Sequence, residues 1–176
     1  PALRQRPVEQ LRALANLVDE LVRMDEQISV LDYALARLLR VQLNETLAPQ
    51  TAARNQRPTK LYDLRQDAQL LFAVMANAGH DDEATARAAF DAGIRHLLPM
   101  NTPEYRQITT SWIGALDHAL SAFDLLILPA KETLIEALVR TVAHDRQVTL
   151  GEAELLRVVC ASLHCPLPPL VAGNAA

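Results

Sequence analysis

Apolar residues recur at intervals of three and four along almost the whole chain, and strict alternation of apolar and polar residues is nearly absent. This periodicity predicts roughly seven amphipathic helices packed in a compact all-α bundle. The first helix is expected at about Val8 to Met24 and the second at Val30 to about Leu47. Leucine and valine dominate their predicted inner faces, at Leu11, Leu14, Leu17, Val18, Leu21 and Val22 in the first helix and at Leu31, Leu35, Leu38, Leu39 and Leu43 in the second.

Prolines, glycines and capping residues predict where the middle helices begin and end. Segment 48–58 has two prolines and no large apolar residue, so it is predicted to be a mobile loop. A third helix is expected from Thr59 to Ala78 and Gly79, followed by a fourth whose first turn carries the acidic run 81–83 and which ends near Leu98 and Pro99.

The last three helices are predicted from proline and threonine positions. Thr102-Pro103-Glu104 is typical of a helix start, and the helical pattern continues through Trp112 to about Phe123. Tyr105 and Trp112 lie seven residues apart and would share one face of this fifth helix. Pro129 and Thr149 are expected to begin the sixth and seventh helices. Prolines 166, 168 and 169 should stop the seventh, and residues 171–176 are predicted to be a disordered tail.

An internal repeat is the sharpest pattern in the sequence. Segment 14–43 aligns with segment 134–163 without a gap, and each copy is a helix, a short acidic turn and a second helix. The predicted organisation is therefore one domain over residues 1–176, in which hairpins 8–47 and 129–165 are related. Identical residues occupy seven pairs of positions, at Leu14, Val22, Asp25, Gln27, Leu35, Arg37 and Leu43 and at Leu134, Val142, Asp145, Gln147, Leu155, Arg157 and Leu163.

The acidic turns allow two interpretations. Ser29 with Asp32, and Thr149 with Glu152, have the spacing of capping boxes, and Ile28 and Val148 are placed as the preceding hydrophobic staples. Alternatively, carboxylates in each turn weakly bind a hard divalent cation such as calcium or magnesium. The candidate ligands are Asp25 with Asp32 in the first turn and Asp145 with Glu152 in the second.

Composition and charge exclude several classes of function. The 176 residues are 50% hydrophobic and 4% aromatic with a net charge of −4, so a nucleic-acid-binding surface is not expected. The longest apolar run, Leu125 to Ala130, is far shorter than the ~20 residues that cross a bilayer. Cys160 and Cys165 are expected to be reduced and structural, with a redox role as the alternative. Arg54, Arg57 and Lys60 form a basic patch near the predicted loop, and Tyr62 lies beside it. This patch is either a solvated surface or a weak docking site.

Catalytic motifs are absent from the sequence. The five histidines include no pair four residues apart and no H-E-x-x-H, and no serine stands in a G-x-S-x-G frame. This fragment is therefore expected to be no enzyme, and an unrecognised type of enzyme is the weakest alternative. Because the chain begins with Pro1 instead of Met, we expect it to be a piece of a longer protein.

The turn pattern resembles a known family. A helix ending in Asp-x-x-Ile/Val, followed by Ser/Thr-x-x-Glu/Asp and a Leu-rich helix, looks like the TerB-like domain of tellurite-resistance proteins, which is all-helical. Its typical turn is Asp-Gly-x-Ile/Val, and Glu26 and Arg146 stand at the position of that glycine. Residues 134–170 resemble, more specifically, the C-terminal tail of bacterial membrane zinc metallopeptidases related to HtpX and the CAAX-prenyl proteases.

This resemblance implies a non-catalytic C-terminal accessory or interaction domain. The zinc site would lie upstream in a parent metalloendopeptidase, and the domain would sit on the cytoplasmic side, tethered to the inner membrane by that parent chain. Its partner would be the upstream peptidase and membrane domain or another protein, with no cofactor in this fragment. The alternative is a stand-alone TerB-like stress protein that binds a divalent cation through the acidic turns.

Overall fold

The part of the chain that the structure describes forms seven α-helices and one short 3-10 helix. The structure is a computed structural model that describes residues 7–24, 28–47, 59–108 and 112–169. Within these ranges the chain forms no β-strand, and the predicted all-α class is confirmed. The helices are α1 (Val8–Met24), α2 (Val30–Leu47), the 3-10 helix (Leu61–Leu64), α3 (Arg65–Gly79), α4 (Glu83–Leu97), α5 (Trp112–Phe123), α6 (Leu128–Val142) and α7 (Leu150–Ser162).

Several predicted features lie outside the described residues. These are the loop 48–58 with Arg54 and Arg57, the tail 171–176, and Asp25 in the first acidic turn. The loop, the tail and the division into two related hairpins therefore stay predictions. Helices do form at the predicted positions of both hairpins, as α1 with α2 and as α6 with α7.

Helix α3 is the centre of the bundle. It packs against α4, α5, α6 and α7, and its six consecutive residues from Leu71 to Ala76 are all buried. A helix that buries every side of its circumference must have neighbours all round, and the unbroken apolar run of α3 meets that requirement.

Helices α4 and α6 cross at very short range. Gly93 of α4 lies against the Thr141 hydroxyl, the Ala137 carbonyl oxygen and the Phe72 ring, so closely that a Cβ at this position would overlap all three. The absence of a side chain at Gly93 therefore allows the two backbones to approach.

Helices α1 and α2 lie at the edge of the bundle. Leu11, Tyr33 and Leu43 are buried, but Leu17 is 52% exposed and Leu35 is 53% exposed. The predicted inner positions of Leu17 and Leu35 are therefore wrong. Helix α1 packs mainly on α2, so one neighbour covers only part of its leucine face. Helix α2 packs on both α1 and α7, and Leu35 lies outside the part of α2 that these neighbours cover.

Segment 101–108 is not helical, so the predicted start of the fifth helix at Thr102 is wrong. The Thr102 hydroxyl donates backwards to the Leu98 carbonyl oxygen at 2.9 Å. The Tyr105 ring packs edge-on against Phe90 with centroids 5.5 Å apart, and its hydroxyl accepts a 2.9 Å hydrogen bond from Asn77. These contacts with α3 and α4 hold the segment in a non-helical conformation, and Tyr105 does not share a helix face with Trp112.

Two other boundaries differ from the sequence prediction. The chain forms the 3-10 helix over Leu61–Leu64 before α3 begins at Arg65, where a single helix from Thr59 was expected. Helix α7 ends at Ser162, before the prolines. His164 adopts a left-handed φ of 57°, its N–H donates to Ala161 at 3.2 Å, and the Cys165 N–H donates to the Cys160 carbonyl at 2.9 Å. This is a Schellman motif.

Candidate functional site

The turn between α6 and α7 contains the most enclosed polar cluster predicted from the sequence. Thr149 is the N-cap of α7, and its Oγ1 accepts a 3.2 Å hydrogen bond from the Glu152 N–H. The Glu152 Oε2 in turn accepts from the Thr149 N–H at 2.9 Å. The predicted capping box is therefore confirmed here, and Val148 packs against the core as its staple.

The Glu152 carboxylate is fully buried. Its Oε2 is held by Thr149, while Oε1 lies against Gly79 at the end of α3 and has no hydrogen-bond partner among the residues that the structure describes. Burial raises the pKa of Glu152, the hydrogen bonds from Thr149 and the nearby His80 oppose that rise, and Asp145 adds to it. Glu152 therefore binds a proton more readily than an exposed glutamate does.

His80 connects the end of α3 to the same turn. Its side chain is only 8% exposed, its Nδ1 lies 3.9 Å from Asp145 Oδ2, and its buried Nε2 has no hydrogen-bond partner. Asp145 also accepts a 2.9 Å hydrogen bond from the Gln147 N–H, and Arg146 between them adopts a left-handed φ of 63°. The structure thus brings Asp145 and Glu152 to one corner and adds His80, which the sequence pattern did not indicate.

The corresponding turn before α2 is more open. The Asp32 N–H donates to Ser29 Oγ at 3.1 Å, and the Ser29 hydroxyl donates to Asp32 Oδ2 at 2.6 Å. Ser29 therefore caps α2 as predicted, but the Asp32 carboxylate stays exposed. The proposed pairing of Asp32 with Asp25 falls outside the described residues. Within the described ranges no three His, Cys, Asp or Glu residues are grouped so that they could hold a metal ion.

A second polar cluster joins α2 to α5. Asp117 accepts hydrogen bonds from the Tyr33 hydroxyl at 2.8 Å, from Arg37 Nη1 at 2.9 Å and from Arg40 Nη1 at 3.1 Å. Burial and the adjacent Asp117 carboxylate raise the pKa of Tyr33. The sequence pattern did not predict this cluster. The only signal for it is the spacing of Tyr33, Arg37 and Arg40, which places all three on one face of α2.

A buried ion pair ties three helix ends together. Lys131 Nζ lies 3.0 Å from Asp124 Oδ1 and donates to the Leu163 carbonyl oxygen at 3.0 Å, and both charged side chains are 8% exposed. Asp124 follows α5, Lys131 lies in the first turn of α6, and Leu163 caps α7. The sequence carries no signal for this pair, because its partners are recognisable only once the helix ends are adjacent.

Between α5 and α6 lies an exposed apolar turn, formed by Leu125, Ile127 and Leu128. These side chains are 37%, 49% and 59% exposed, while Leu126 between them is fully buried. Of the predicted docking residues, Lys60 directly precedes the 3-10 helix and Tyr62 lies within it, and both are exposed. A docking role for them stays a prediction, since Arg54 and Arg57 are outside the described residues.

Comparisons with other proteins give no family assignment. No protein-family model, no curated protein and no solved structure matches the chain. Among the described helices, none has both the length and the hydropathy required to span a bilayer. Functional inference therefore depends on the chemistry and geometry of these clusters together with the resemblance seen in the sequence.

Proposed function

We propose that this chain is a non-catalytic accessory domain of a membrane-bound zinc metallopeptidase, and that it contacts the peptidase part of that protein. The observation that carries this proposal is the exposed apolar turn of Leu125, Ile127 and Leu128. Clustered apolar side chains on a surface are typical of protein–protein contacts. The class of the parent enzyme comes from the resemblance of residues 134–170 to the tail of HtpX-related peptidases.

The base of the apolar turn is firmly held. Leu126 is buried in the core, and the turn is flanked by Asp124 and Lys131, which form the buried ion pair. Residues presented from a fixed base lose less conformational entropy when they bind a partner. This arrangement favours a constitutive contact surface over a loop that folds on binding.

The TerB-like part of the resemblance has support in the backbone. Arg146 has a left-handed φ of 63°, a conformation that glycine adopts most easily. The TerB-like turn carries glycine at this position. The acidic turn of this chain therefore has the backbone shape that the family's sequence pattern implies, with an arginine in place of the glycine.

The parent enzyme is tested by sequencing the reading frame upstream of Pro1. The proposal expects an H-E-x-x-H motif and segments of about 20 apolar residues that could span a membrane. A frame that holds neither overturns the assignment to a membrane metallopeptidase.

The contact surface is tested with purified proteins. The tagged domain is mixed with the separately expressed upstream part, and co-purification is compared for the native chain and an Ile127→Asp/Leu128→Asp variant. We expect at least a tenfold loss of binding. The matched control is Leu150→Asp, because Leu150 is 63% exposed and lies at the start of α7. Circular dichroism verifies that each variant is folded. Equal binding by the native chain and the double variant contradicts the proposal.

A second candidate function is weak binding of calcium or magnesium at the α6–α7 turn. It is favoured by Glu152 Oε1, a buried carboxylate oxygen that lacks a hydrogen-bond partner among the described residues and lies near Asp145. Asp145 and Glu152 supply only two of the oxygen ligands that calcium or magnesium takes, so the proposed binding is weak. A cation that binds only the folded state raises the melting temperature. Calcium, magnesium and zinc would each be titrated against the native chain and against Asp145→Ala. No shift at millimolar cation, or an equal shift in the variant, contradicts this function.

A further inference from the structure

The two cysteines occupy the paired positions of the Schellman motif that ends α7. Two side chains approach each other in this motif. One belongs to the residue two positions before the last helical residue, and the other belongs to the residue two positions after the C-cap. Those positions are Cys160 and Cys165, as the 2.9 Å hydrogen bond from the Cys165 N–H to the Cys160 carbonyl shows. Standard bond lengths then hold the two Cα atoms within about 7 Å, inside the range that a disulfide spans.

The two thiols have different surroundings. Both cysteines are free, Cys160 is 2% exposed, and Cys165 is half-buried. The Cys165 thiol donates to the Leu163 carbonyl oxygen at 3.5 Å, and Lys131 Nζ donates to the same oxygen at 3.0 Å. Cys165 is therefore the sulfur that solvent reaches, with an ammonium group close by.

We propose that Cys160 and Cys165 form a dithiol site that closes to an intramolecular disulfide by exchange with a small-molecule disulfide such as oxidised glutathione. The Cys165 thiolate attacks one glutathione sulfur, forms a mixed disulfide and releases the first glutathione thiolate. The Cys160 thiolate then attacks Cys165 Sγ and expels the second. The protein loses two electrons and two protons, and one oxidised glutathione becomes two reduced glutathione molecules.

The order of the two steps follows from acidity and exposure. Burial raises the pKa of the Cys160 thiol to about 11, and the neighbouring Cys165 adds to that rise. Burial also raises the pKa of Cys165, but the Lys131 ammonium opposes the increase. The nucleophile is the thiolate, so the accessible Cys165 reacts first and closure by Cys160 accelerates as the pH rises.

The proposal is tested on the full 176-residue chain with excess oxidised glutathione. Samples are denatured in iodoacetamide at timed intervals, and their intact masses are measured. We expect the native chain to lose two hydrogens and to resist alkylation at both cysteines. Cys160→Ala should stop at a single glutathione adduct, and Cys165→Ala should react at least tenfold more slowly because Cys160 is buried.

A variant in which one cysteine is moved by one residue tests whether disulfide closure depends on the geometry of the helix end or only on the presence of two thiols. The double variant Cys165→Ala/Pro166→Cys has the same number of thiols, moved by one residue from the Schellman position. In the folded state its mixed disulfide should close at least tenfold more slowly than that of the native pair, and in guanidinium the two rates should converge. Circular dichroism verifies the fold of the variant. The proposal is overturned by equal closure rates in the folded proteins, by a native chain that stops at the mixed disulfide, or by disulfides between two chains. None of these outcomes depends on the proposed peptidase partner.

Discussion

The α6–α7 hairpin and the α1–α2 hairpin share a sequence pattern but differ in how completely they are enclosed. Leu134, Leu138 and Leu155 are fully buried in the first, whereas Leu17 and Leu35 of the second are more than half exposed. Helices α6 and α7 both pack against the central α3, whereas α1 packs mainly on α2, and α2 packs mainly on α7 and α1. The leucine spacing thus specifies which face of a helix is apolar, and the placement of the neighbouring helices decides how much of that face is covered.

The two acidic turns differ in the same way. The Asp32 carboxylate is exposed, but the Glu152 carboxylate is buried against Gly79. A side chain at position 79 would collide with that carboxylate, so the burial of Glu152 depends on a glycine at the end of α3. Residues with the same capping role can therefore make mainly local contacts at one turn and belong to the core at the other.

Truncation of matched leucines should give the largest difference between the hairpins. Leu134→Ala removes a fully buried side chain and should lower the free energy of unfolding by about 2–5 kcal/mol. Leu14 occupies the corresponding position in the predicted repeat and is only half-buried, so Leu14→Ala should cost less than half as much. Urea denaturation measures both. Equal losses would show that the two hairpins are equally enclosed.

Removal of the two N-caps should give the next largest difference. Thr149→Ala should cost about 1–2 kcal/mol, because it also removes a hydrogen-bond donor from the buried Glu152 carboxylate. Ser29→Ala at the open turn should cost about 0.5 kcal/mol. Thr149→Ser is the control that keeps the hydroxyl. Equal losses of stability in Thr149→Ala and Ser29→Ala would contradict the expected difference between the two turns.

A glycine at Arg146 should stabilise the enclosed turn. Because Arg146 has a φ of 63°, Arg146→Gly relieves an unfavourable conformation and should raise the free energy of unfolding by about 1 kcal/mol. Gln147→Gly is the control, since φ is not positive at Gln147 and added flexibility in the unfolded chain should make this variant less stable. Chemical denaturation should give a higher free energy of unfolding for Arg146→Gly and a lower one for Gln147→Gly than for the native chain. A lower value for Arg146→Gly would contradict the expectation that Arg146 is strained.

The smallest expected effect is a dependence of stability on pH. The pKa of Glu152 is higher in the folded chain than its ordinary value of 4.5, because the carboxyl is buried. The folded state therefore binds this proton more tightly than the unfolded state does. The protonated Glu152 therefore contributes its full stabilisation below pH 4.5, and this stabilisation is lost as the pH rises through the raised pKa.

Glu152→Gln cannot titrate at this position, so its stability should lack this decline. Asp32→Asn leaves Glu152 in place and should keep the pH dependence of the native chain. Thermal melts between pH 4 and pH 8 compare the three proteins. Parallel profiles for the native chain and Glu152→Gln would mean that Glu152 does not contribute to the pH dependence.

The helices were predictable because their signals are local. The acidic run 81–83, the cap at Thr149 and the leucine periodicity lie within a few residues of the boundaries that they indicate. Thr102-Pro103-Glu104 carries an equally local signal, but contacts of Tyr105 with Phe90 and Asn77 override it. Such contacts join residues that are distant in the chain, so a local pattern could not indicate them.

The candidate site was predictable only in part, for the same reason. The capping partners Thr149 and Glu152 are three residues apart, and their spacing predicted their hydrogen bonds. The burial of Glu152 depends on Gly79 and His80, which are far away in sequence. The Asp117 cluster joins residues up to 84 positions apart, and no short motif encodes that separation.

The contact of Lys131 with both Asp124 and the Leu163 carbonyl has a consequence for local unfolding. One ammonium group holds the end of α5, the start of α6 and the end of α7. Fraying of any one of these ends removes a hydrogen bond from a buried charge or carbonyl, which is costly. We therefore expect the three ends to open together as one cooperative unit, and their amides should share a single free energy of hydrogen exchange although they lie in different helices.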